Sequence, residues 1–498
     1  MRTITKDYIH FIYLSAVIII GAVLRFYDLS GESYWYDEII TLEVVKDSIE
    51  SIVHGSRPQL YLFLAHFWIK IVGTSEVATR SLSVLAGLFA IPVIYLVGKE
   101  LFNRRAGLIS SFLMAVSQFQ IYYSQEFRYY SLFVLLTLIS FYFFIIYLKT
   151  LRSRWLICYV ISTIFLYYSH DFGVFSIAAQ ALYYFINAIN GKKINYYLLI
   201  SFGVICLPII PTTLNFIKKV GGNSSGSATW LPEPSFFTPL ITLRNYIGAG
   251  LDYPSWTTLI AGLVFFIVAI TIFIIWQGKQ NWLRSLRNIQ NDNIKLLKNK
   301  EILLLLLWLL IPILIPFILS ILLSPMYHHR YTIGASPAFY LLLAIIIIYI
   351  RRIAPEIITL GLFLIIITPG LYEFYKTPVR EQWREAALYI KSNINKDDII
   401  IFDKDLQNFK NFSWYYKNNF DQCEVNQHKS YEVFLKEVKK CTKEKDRFWL
   451  VVREVPNPLP EELRSQIENN NNELLNLIEV KKFTKITLYL FNLDNNGS

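Results

Sequence analysis

Charge is what this chain has least of. Only 17% of its 498 residues are Asp, Glu, Lys or Arg, where an ordinary soluble domain carries about a quarter. Cysteine is scarce too, with four in the whole chain, too few for a disulfide framework. Cys158 and Cys206 fall inside apolar stretches and read as packing residues, whereas Cys423 and Cys441 fall in a polar tail and can pair if that tail lies outside the cell. No small-residue cleavage site follows the first apolar run, so a retained first helix is expected in place of a signal peptide. The tail has no glycine-rich phosphate loop and no metal-ligand spacing. The two halves show no convincing repeat, and no relay of polar groups crosses the apolar stretches, as a proton-coupled pump would need.

Apolar sequence is what the chain has in abundance. Hydrophobic residues make up 54% and aromatic residues 16%, mostly in runs of roughly 17 to 24 that suffice to cross about 30 Å of hydrocarbon. The runs lie at 9–26, 59–72, 78–98, 105–121, 130–148, 155–169, 172–189, 194–216, 255–276, 302–323, 331–350 and 356–373. The second is short for a span and carries His66 and Lys70. If it crosses, Lys99, Arg104 and Arg105 fall outside and the charge bias degrades at each later loop. If it lies along the surface, the basic groups all become cytoplasmic: Arg2 and Lys6, Lys99/Arg104/Arg105, Lys149/Arg152/Arg154, Lys192/Lys193, the stretch Lys279 to Lys300, and Arg351/Arg352. The net charge of +11 is then of the positive-inside kind and argues against a nucleic-acid partner. The expected architecture is an α-helical polytopic membrane protein of about 11 transmembrane helices, N-terminus inside and C-terminus outside.

That topology gathers the unusual polar residues on the outer side: Asp37 and Glu38, Arg57, Gln125-Glu126 with Arg128, His170-Asp171, the loop 217–254, and His328-His329-Arg330. Polar groups at membrane depth are costly and tend to mark function. From about Thr377 the composition changes. Trp383, Ala386, Ala387 and Ile390 make one face of a helix, Asp398 to Asp403 and Phe448 to Val452 read as buried strands, Pro456 to Asn469 as a turn and helix, and Lys485 to Asn492 as a closing strand. Two domains are expected: residues 1–375 in the membrane, with a first outer loop at 28–77 carrying surface helices, and 376–498 as a small soluble α/β domain on the outer face, an accessory lid or acceptor-docking module.

Several segments together resemble one family. They are Trp35-Tyr36-Asp37-Glu38, Arg57-Pro58-Gln59-Leu60, Ser75 to Leu82, Tyr95 to Phe102, Tyr122-Tyr123-Ser124-Gln125-Glu126-Phe127-Arg128-Tyr129-Tyr130, and Arg330-Tyr331. In order and spacing they are similar to the GT-C fold membrane glycosyltransferases, nearest to the dolichyl-phosphate-mannose–protein mannosyltransferase and lipid A aminoarabinose transferase superfamily. Gln59 departs from the second proline usual in that pattern. The resemblance covers roughly residues 20–175 and 325–345 and is weak between them. It implies a GT-C-like domain, horizontal first-loop helices that explain the short run 60–72, and transfer of a sugar from a polyprenyl-phosphate-linked donor to a hydroxyl acceptor on a protein, lipid or surface glycan. The expected place is the plasma (inner) membrane, with the site and the C-terminal domain extracytoplasmic.

Such a transfer needs a carboxylate to take the acceptor's proton, cations for the leaving phosphate, and a groove for the lipid. The catalytic candidates are Asp37 as base, Glu38 beside it, and Glu126, which could hold the acceptor hydroxyl or a divalent ion. Asp37 could equally cap the helical segment 39–52, and Glu126 could simply pair with Arg128. Arg57, Arg128 and Arg330 are the donor-phosphate candidates, because a guanidinium offers oxyanions a planar fork. Tyr36, Gln125, His170, His329 and Tyr331 are candidates for contacts to substrate, although aromatic belts at interfaces are common. No metal site is expected from adjacent histidines such as His328-His329, no cofactor is certain, and a divalent cation remains open. Expected partners are the polyprenyl-phosphate-sugar donor, the hydroxyl acceptor and membrane lipids. The rival reading is a transporter or flippase of lipid-linked sugars.

Overall fold

A computed structural model describes residues 2–54, 59–189, 194–221, 231–248, 299–349, 356–403, 406–417, 420–425, 431–442, 445–455, 458–468 and 475–493. Arg57, Trp230, Trp256, the run 255–276 and the basic groups at 192–193, 279–298 and 351–352 lie outside the described residues. The chain forms two compact units, one of residues 1–27 and 47–373, the other of residues 28–46 and 374–498.

The first unit is helical. Among the described residues, five segments are long and apolar enough to cross a membrane: Tyr8–Phe26, Glu76–Leu101, Tyr130–Thr150, Lys300–Leu322 and His329–Ile348. Shorter apolar helices occupy Gln59–Val72, Gly173–Ile189 and Tyr196–Ile210. We number the helices α1 (Arg2–Phe26), α2 (Tyr36–Lys46), α3 (Ile49–His54), α4 (Gln59–Val72), α5 (Glu76–Leu101), α6 (Arg104–Val116), α7 (Gln118–Ser124), α8 (Tyr130–Thr150), α9 (Ser153–Ser169), α10 (Gly173–Ile189), α11 (Tyr196–Gly221) and α12 (Thr238–Ile247). α13 (Asn299–Leu322), a 3-10 helix (His329–Ala335), α14 (Ser336–Tyr349) and α15 (Glu356–Lys376) follow. Along α1, Phe11, Ile12, Ile19 and Val23 face outward, an arrangement that suits hydrocarbon and not water. α4 is 14 residues long, about 21 Å of helix and short of a bilayer; it buries Tyr61, Leu62, Ala65, His66 and Ile69 and exposes Phe63, Phe67 and Ile71.

The apolar run 105–121 is two helices, not one. Ser117 between them has extended backbone and caps α7, its Oγ accepting the Gln120 N–H at 3.4 Å. The same Oγ lies 2.8 Å from the Tyr340 hydroxyl and donates to the Tyr246 carbonyl at 3.1 Å. α5 and α6 meet backbone to backbone: a Cβ on Gly98 would stand 2.8 Å from Gly107 Cα, and one on Gly107 2.4 Å from the Tyr95 carbonyl oxygen. Small residues permit this in place of hydrophobic pressure, which lipid does not supply.

The second unit contains α16 (Trp383–Asn393), β1 (Ile399–Asp403), α17 (Leu406–Tyr415), β2 (Asp421–Val425), α18 (Tyr431–Thr442), β3 (Arg447–Arg453), α19 (Glu461–Glu468), β4 (Leu475–Phe483) and β5 (Ile486–Leu493). The strand order is β2-β1-β3-β5-β4, with β1, β2 and β3 parallel and β5 antiparallel to both neighbours. The strand period of two sends Ile399, Ile401, Phe448 and Leu450 to one core with α18 and α19. Ile400, Phe402, Trp449 and Val451 go to the other core, with Trp383, Ala386, Ala387 and Ile390 of α16 and Phe412 of α17. Layers on both faces explain why β1 and β3 read as unbroken apolar runs. Cys423 of β2 and Cys441 of α18 are joined in a disulfide. The expected polytopic helical fold with a C-terminal α/β region is borne out.

Candidate active site

The helical unit concentrates its polar chemistry around the turn between α7 and α8. The sequence builds this turn by interrupting apolar helix with serines and glutamines that find backbone partners. Ser124 Oγ donates to the Gln120 carbonyl (2.6 Å), Ser131 Oγ to the Tyr123 carbonyl (3.1 Å), and Ser83 Oγ on α5 to the Arg128 carbonyl (2.9 Å). Within the turn, the Arg128 N–H donates to the Glu126 carbonyl at 2.7 Å. Phe127 is fully buried against Tyr61 of α4, ring centroids 5.7 Å apart. The Glu126 carboxylate is thereby carried inside, 2% exposed, and Arg128 sits half-buried over the Tyr129 ring at 4.8 Å. Gln125 serves the frame: its Nε2 donates to the carbonyls of Arg25 (3.1 Å) and Tyr27 (2.9 Å) where α1 ends.

Arg330 reaches the same region from the 3-10 helix, which is pinned on three sides. The Tyr246 hydroxyl of α12 donates to the Thr332 carbonyl at 2.7 Å, Trp308 Nε1 of α13 donates to the Gly334 carbonyl at 2.8 Å, and Gly334 packs directly on Phe133 of α8. Arg330 lies over the Tyr331 ring at 5.3 Å. The charges of Glu126, Arg128 and Arg330 all act on Tyr130, and those of Arg128 and Arg330 on His170.

His170 closes the group. It follows α9, stacks on Phe133 (4.9 Å between centroids) and meets the rings of Tyr129 and Tyr331 at 5.0 and 5.4 Å. Burial first, then Arg128 and Arg330, push its imidazole down to about 3, so it is neutral at physiological pH. Its Nδ1 accepts the Phe172 N–H at 2.9 Å, which leaves the ring proton on Nε2. His328 is likewise held down, by burial and then by His329 and Arg330. His329 Nε2 stands 3.3 Å from the Tyr123 hydroxyl.

The structure therefore brings together Glu126, Arg128, His170, His329, Arg330 and Tyr331, with Gln125 as a brace. Tyr36, Asp37 and Glu38 belong to the other unit, on the first turn of α2. Trp35 precedes that helix and Asp37 is its second residue, so a carboxylate stands at the positive end of the helix dipole without capping it. Asp37 is half-buried, while Glu38 is fully buried and pairs with Arg380 at 3.4 Å. Asp171 is exposed. Among the described residues no group of three or more His, Cys, Asp or Glu is placed to hold a metal ion.

Sequence reasoning missed three arginines. Arg25, fully buried, donates from Nη1 to the Ala115 carbonyl (2.7 Å) and from Nη2 to the Met114 carbonyl (3.1 Å), closing the end of α6. Its signal was available, a lone arginine ending an apolar span. Arg244 of α12 acts electrostatically on His329, but a single arginine in a long loop announces nothing. Arg380 sits in a stretch of mixed charge where no pattern marks it.

Residues 56–214 match the sequence family described as dolichyl-phosphate-mannose-protein mannosyltransferase. No curated protein sequence matches the chain. Among solved structures, ArnT from Cupriavidus metallidurans in the apo state superposes with a TM-score of 0.57 at 10% identity, covering 98% of each chain. The same protein bound to undecaprenyl phosphate gives 0.52 at 11% identity, covering 96% of this chain and 97% of that one. The chain has the GT-C glycosyltransferase fold. At such identities the likeness establishes the fold, and with it an integral membrane protein. The resemblance drawn from the motifs is thus borne out at the level of the GT-C fold, while the roles of single residues rest on the chemistry of each site.

Proposed function

We propose that this GT-C protein is a glycosyltransferase that moves a sugar from a polyprenyl-phosphate donor to a hydroxyl acceptor on the extracytoplasmic side of the membrane. The observation that carries the reading is the polar set at the turn between α7 and α8: two half-buried guanidiniums, Arg128 and Arg330, and the buried carboxylate Glu126 around Tyr130, with both guanidiniums also acting on a histidine held neutral. Such a set suits a singly charged phosphodiester beside hydroxyl groups, since guanidinium binds phosphate oxygens by charge-assisted hydrogen bonds. The structurally similar ArnT was solved bound to undecaprenyl phosphate, which supports a lipid-phosphate donor of that class. Arg128 and Arg330 receive the phosphate, with Arg57 assigned to the same task from its motif. Glu126 and His170 meet hydroxyls, His329 and Tyr331 border the sugar, and Tyr36 lies beside the base.

Asp37 is assigned as the base that takes the acceptor's proton. The acceptor oxygen attacks the anomeric carbon, the carbon–oxygen bond to phosphate breaks, and polyprenyl phosphate leaves. The outer placement is supported by the positive-inside distribution of Lys and Arg. The Cys423–Cys441 disulfide in the C-terminal unit supports it too, because disulfides persist in oxidising compartments. The two domains expected at 1–375 and 376–498 are proposed to divide the work, membrane helices for the donor and the α/β region for the aqueous side.

The test is turnover of a labelled polyprenyl-phosphate-sugar panel by purified protein in lipid. Release of polyprenyl phosphate from one donor, abolished in Arg330→Ala and Asp37→Asn, is expected. No release from any donor, with carrier binding intact, refutes the transferase reading.

A further inference from the structure

The acidic motif of the first outer loop is held by a residue from the far end of the chain. Glu38 is 0% exposed, and its Oε2 receives Arg380 Nη1 at 3.4 Å. Glu32 takes the other edge of that guanidinium, Arg380 Nε at 3.2 Å, and Glu32 Oε1 also accepts the backbone N–H groups of Val379 and Arg380. Arg380 is itself only 6% exposed in its side chain. Glu38 Oε2 further accepts the Trp35 N–H at 3.4 Å, the reciprocal half of a capping box, so one carboxylate closes the helix start and anchors the arginine.

Other contacts tie down the same stretch without addressing the motif. Arg384 donates to the carbonyls of Ser30 and Gly31 at 2.9 Å, the Tyr34 N–H donates to the Tyr415 hydroxyl at 2.6 Å, and Lys410 pairs with Glu43 at 2.8 Å. The Lys410–Glu43 pair is partly exposed, and pairs of that kind are worth little. Arg380 is different, because it is buried between two carboxylates and one of them is next in sequence to Asp37. A buried pair of this kind is weak evidence for stability but fixes geometry, since either partner alone would be an uncompensated buried charge.

We propose that Arg380 is a positioning residue for the transfer reaction. By locking Glu38 in the first turn of α2, it sets the direction in which Asp37, one residue earlier, presents its carboxylate. The C-terminal unit is then part of the catalytic apparatus and not an accessory lid. This rests on the assignment of Asp37 as base, which the test separates.

Full-length protein in lipid is assayed for transfer as wild type, Asp37→Asn, Arg380→Gln, Arg380→Lys, Glu32→Gln and Lys410→Ala. Folding is checked by protease resistance and by retention of the disulfide. Arg380→Gln is expected to lower kcat by about 10- to 100-fold with both KM values within about threefold of wild type, the signature of a group out of place and not of a lost binding contact. Arg380→Lys restores part of the rate because it keeps the charge but not the fork; Lys410→Ala matches wild type. A fully active Asp37→Asn sinks the base, and this proposal with it. An inactive Asp37→Asn beside an Arg380→Gln with wild-type kcat, or with its loss entirely in KM, overturns the positioning role alone. If Arg380→Gln does not fold, Arg380→Lys and Glu32→Gln decide: reduced kcat in folded protein supports the role, and wild-type kcat in both overturns it.

Discussion

A single methyl group at Gly334 tests how tightly the 3-10 helix holds Arg330. A Cβ there would stand 2.8 Å from Phe133 Cζ, 2.9 Å from Cε1 and 3.2 Å from Thr137 Oγ1, where ordinary contact begins at 3.4 Å. The shortfall against the ring is 0.6 Å (3.4 less 2.8), and it has few ways to relax. The Phe133 ring is backed by His170 at 4.9 Å, and the Gly334 carbonyl is tied to Trp308, which is stacked on Phe141 at 3.7 Å. Either the ring moves into His170 or the helix carrying Arg330 moves off α8. Overpacking of this kind costs about 1–3 kcal/mol, and a displacement of that order at Arg330, proposed to receive the phosphate, costs about 10- to 100-fold in rate. Gly334→Ala should therefore lower both the thermal midpoint in detergent and kcat/KM for the donor. Phe133→Leu in the same chain should recover part of each, a coupling readable as a double-mutant cycle. If Gly334→Ala is as stable and active as wild type, or the double variant is merely additive, the 3-10 helix is not held as described.

Replacing Arg330 by Lys should reduce kcat/KM by about 10- to 100-fold and by Ala further, as one charge-assisted bond or the whole fork is lost; equal activity of Arg330→Ala and wild type in the donor assay rejects the phosphate role. Reducing the Cys423–Cys441 bridge, or Cys423→Ser with Cys441→Ser, frees a loop of sequence separation 18 and should lower the unfolding free energy of the C-terminal unit by about 3 kcal/mol, read by denaturant melts with and without reductant. His170 has a folded value near 3 against 6.5, so between those limits the unfolded chain binds the extra proton and stability falls as pH falls. From pH 7 to 5 this amounts to about 2 kcal/mol. His170→Phe should flatten the pH dependence of the melting temperature over that window, and an unchanged slope refutes the burial of a neutral imidazole.

The helices were legible because lipid demands long apolar runs, and β1 and β3 because a sheet covered on both faces demands short ones. β2 was not: its burial alternates mostly exposed, and one of its few inward anchors is the disulfide-bonded Cys423. The break at Ser117 was hidden as well, since a single serine in an apolar run signals nothing until Tyr340 and Tyr246 arrive from more than a hundred residues away. At the candidate site the second-loop carboxylate, its arginine and Arg330 could be picked out as polar groups in costly places. The partners of Glu38 could not, because the cation that neutralises it stands 342 residues downstream in an unremarkable stretch of mixed charge.

The charge balance around Tyr130 and His170 also bears on direction. In the proposed donor, phosphate is esterified on both sides and carries one negative charge. As the bond to the sugar breaks, a monoester forms, whose charge approaches about two near neutral pH. A site with two guanidiniums and one carboxylate holds a doubly charged phosphate more strongly than a singly charged one, and a histidine kept neutral neither adds to nor subtracts from that difference. Interactions that strengthen as charge develops raise kcat, whereas those already complete in the ground state only tighten binding. On the proposed function, Arg128 and Arg330 therefore favour the leaving group over the bound donor, which makes a general acid at the phosphate unnecessary. The same asymmetry makes polyprenyl phosphate the better ligand of the two, so on this reading the spent carrier competes with fresh donor until it diffuses back into the bilayer.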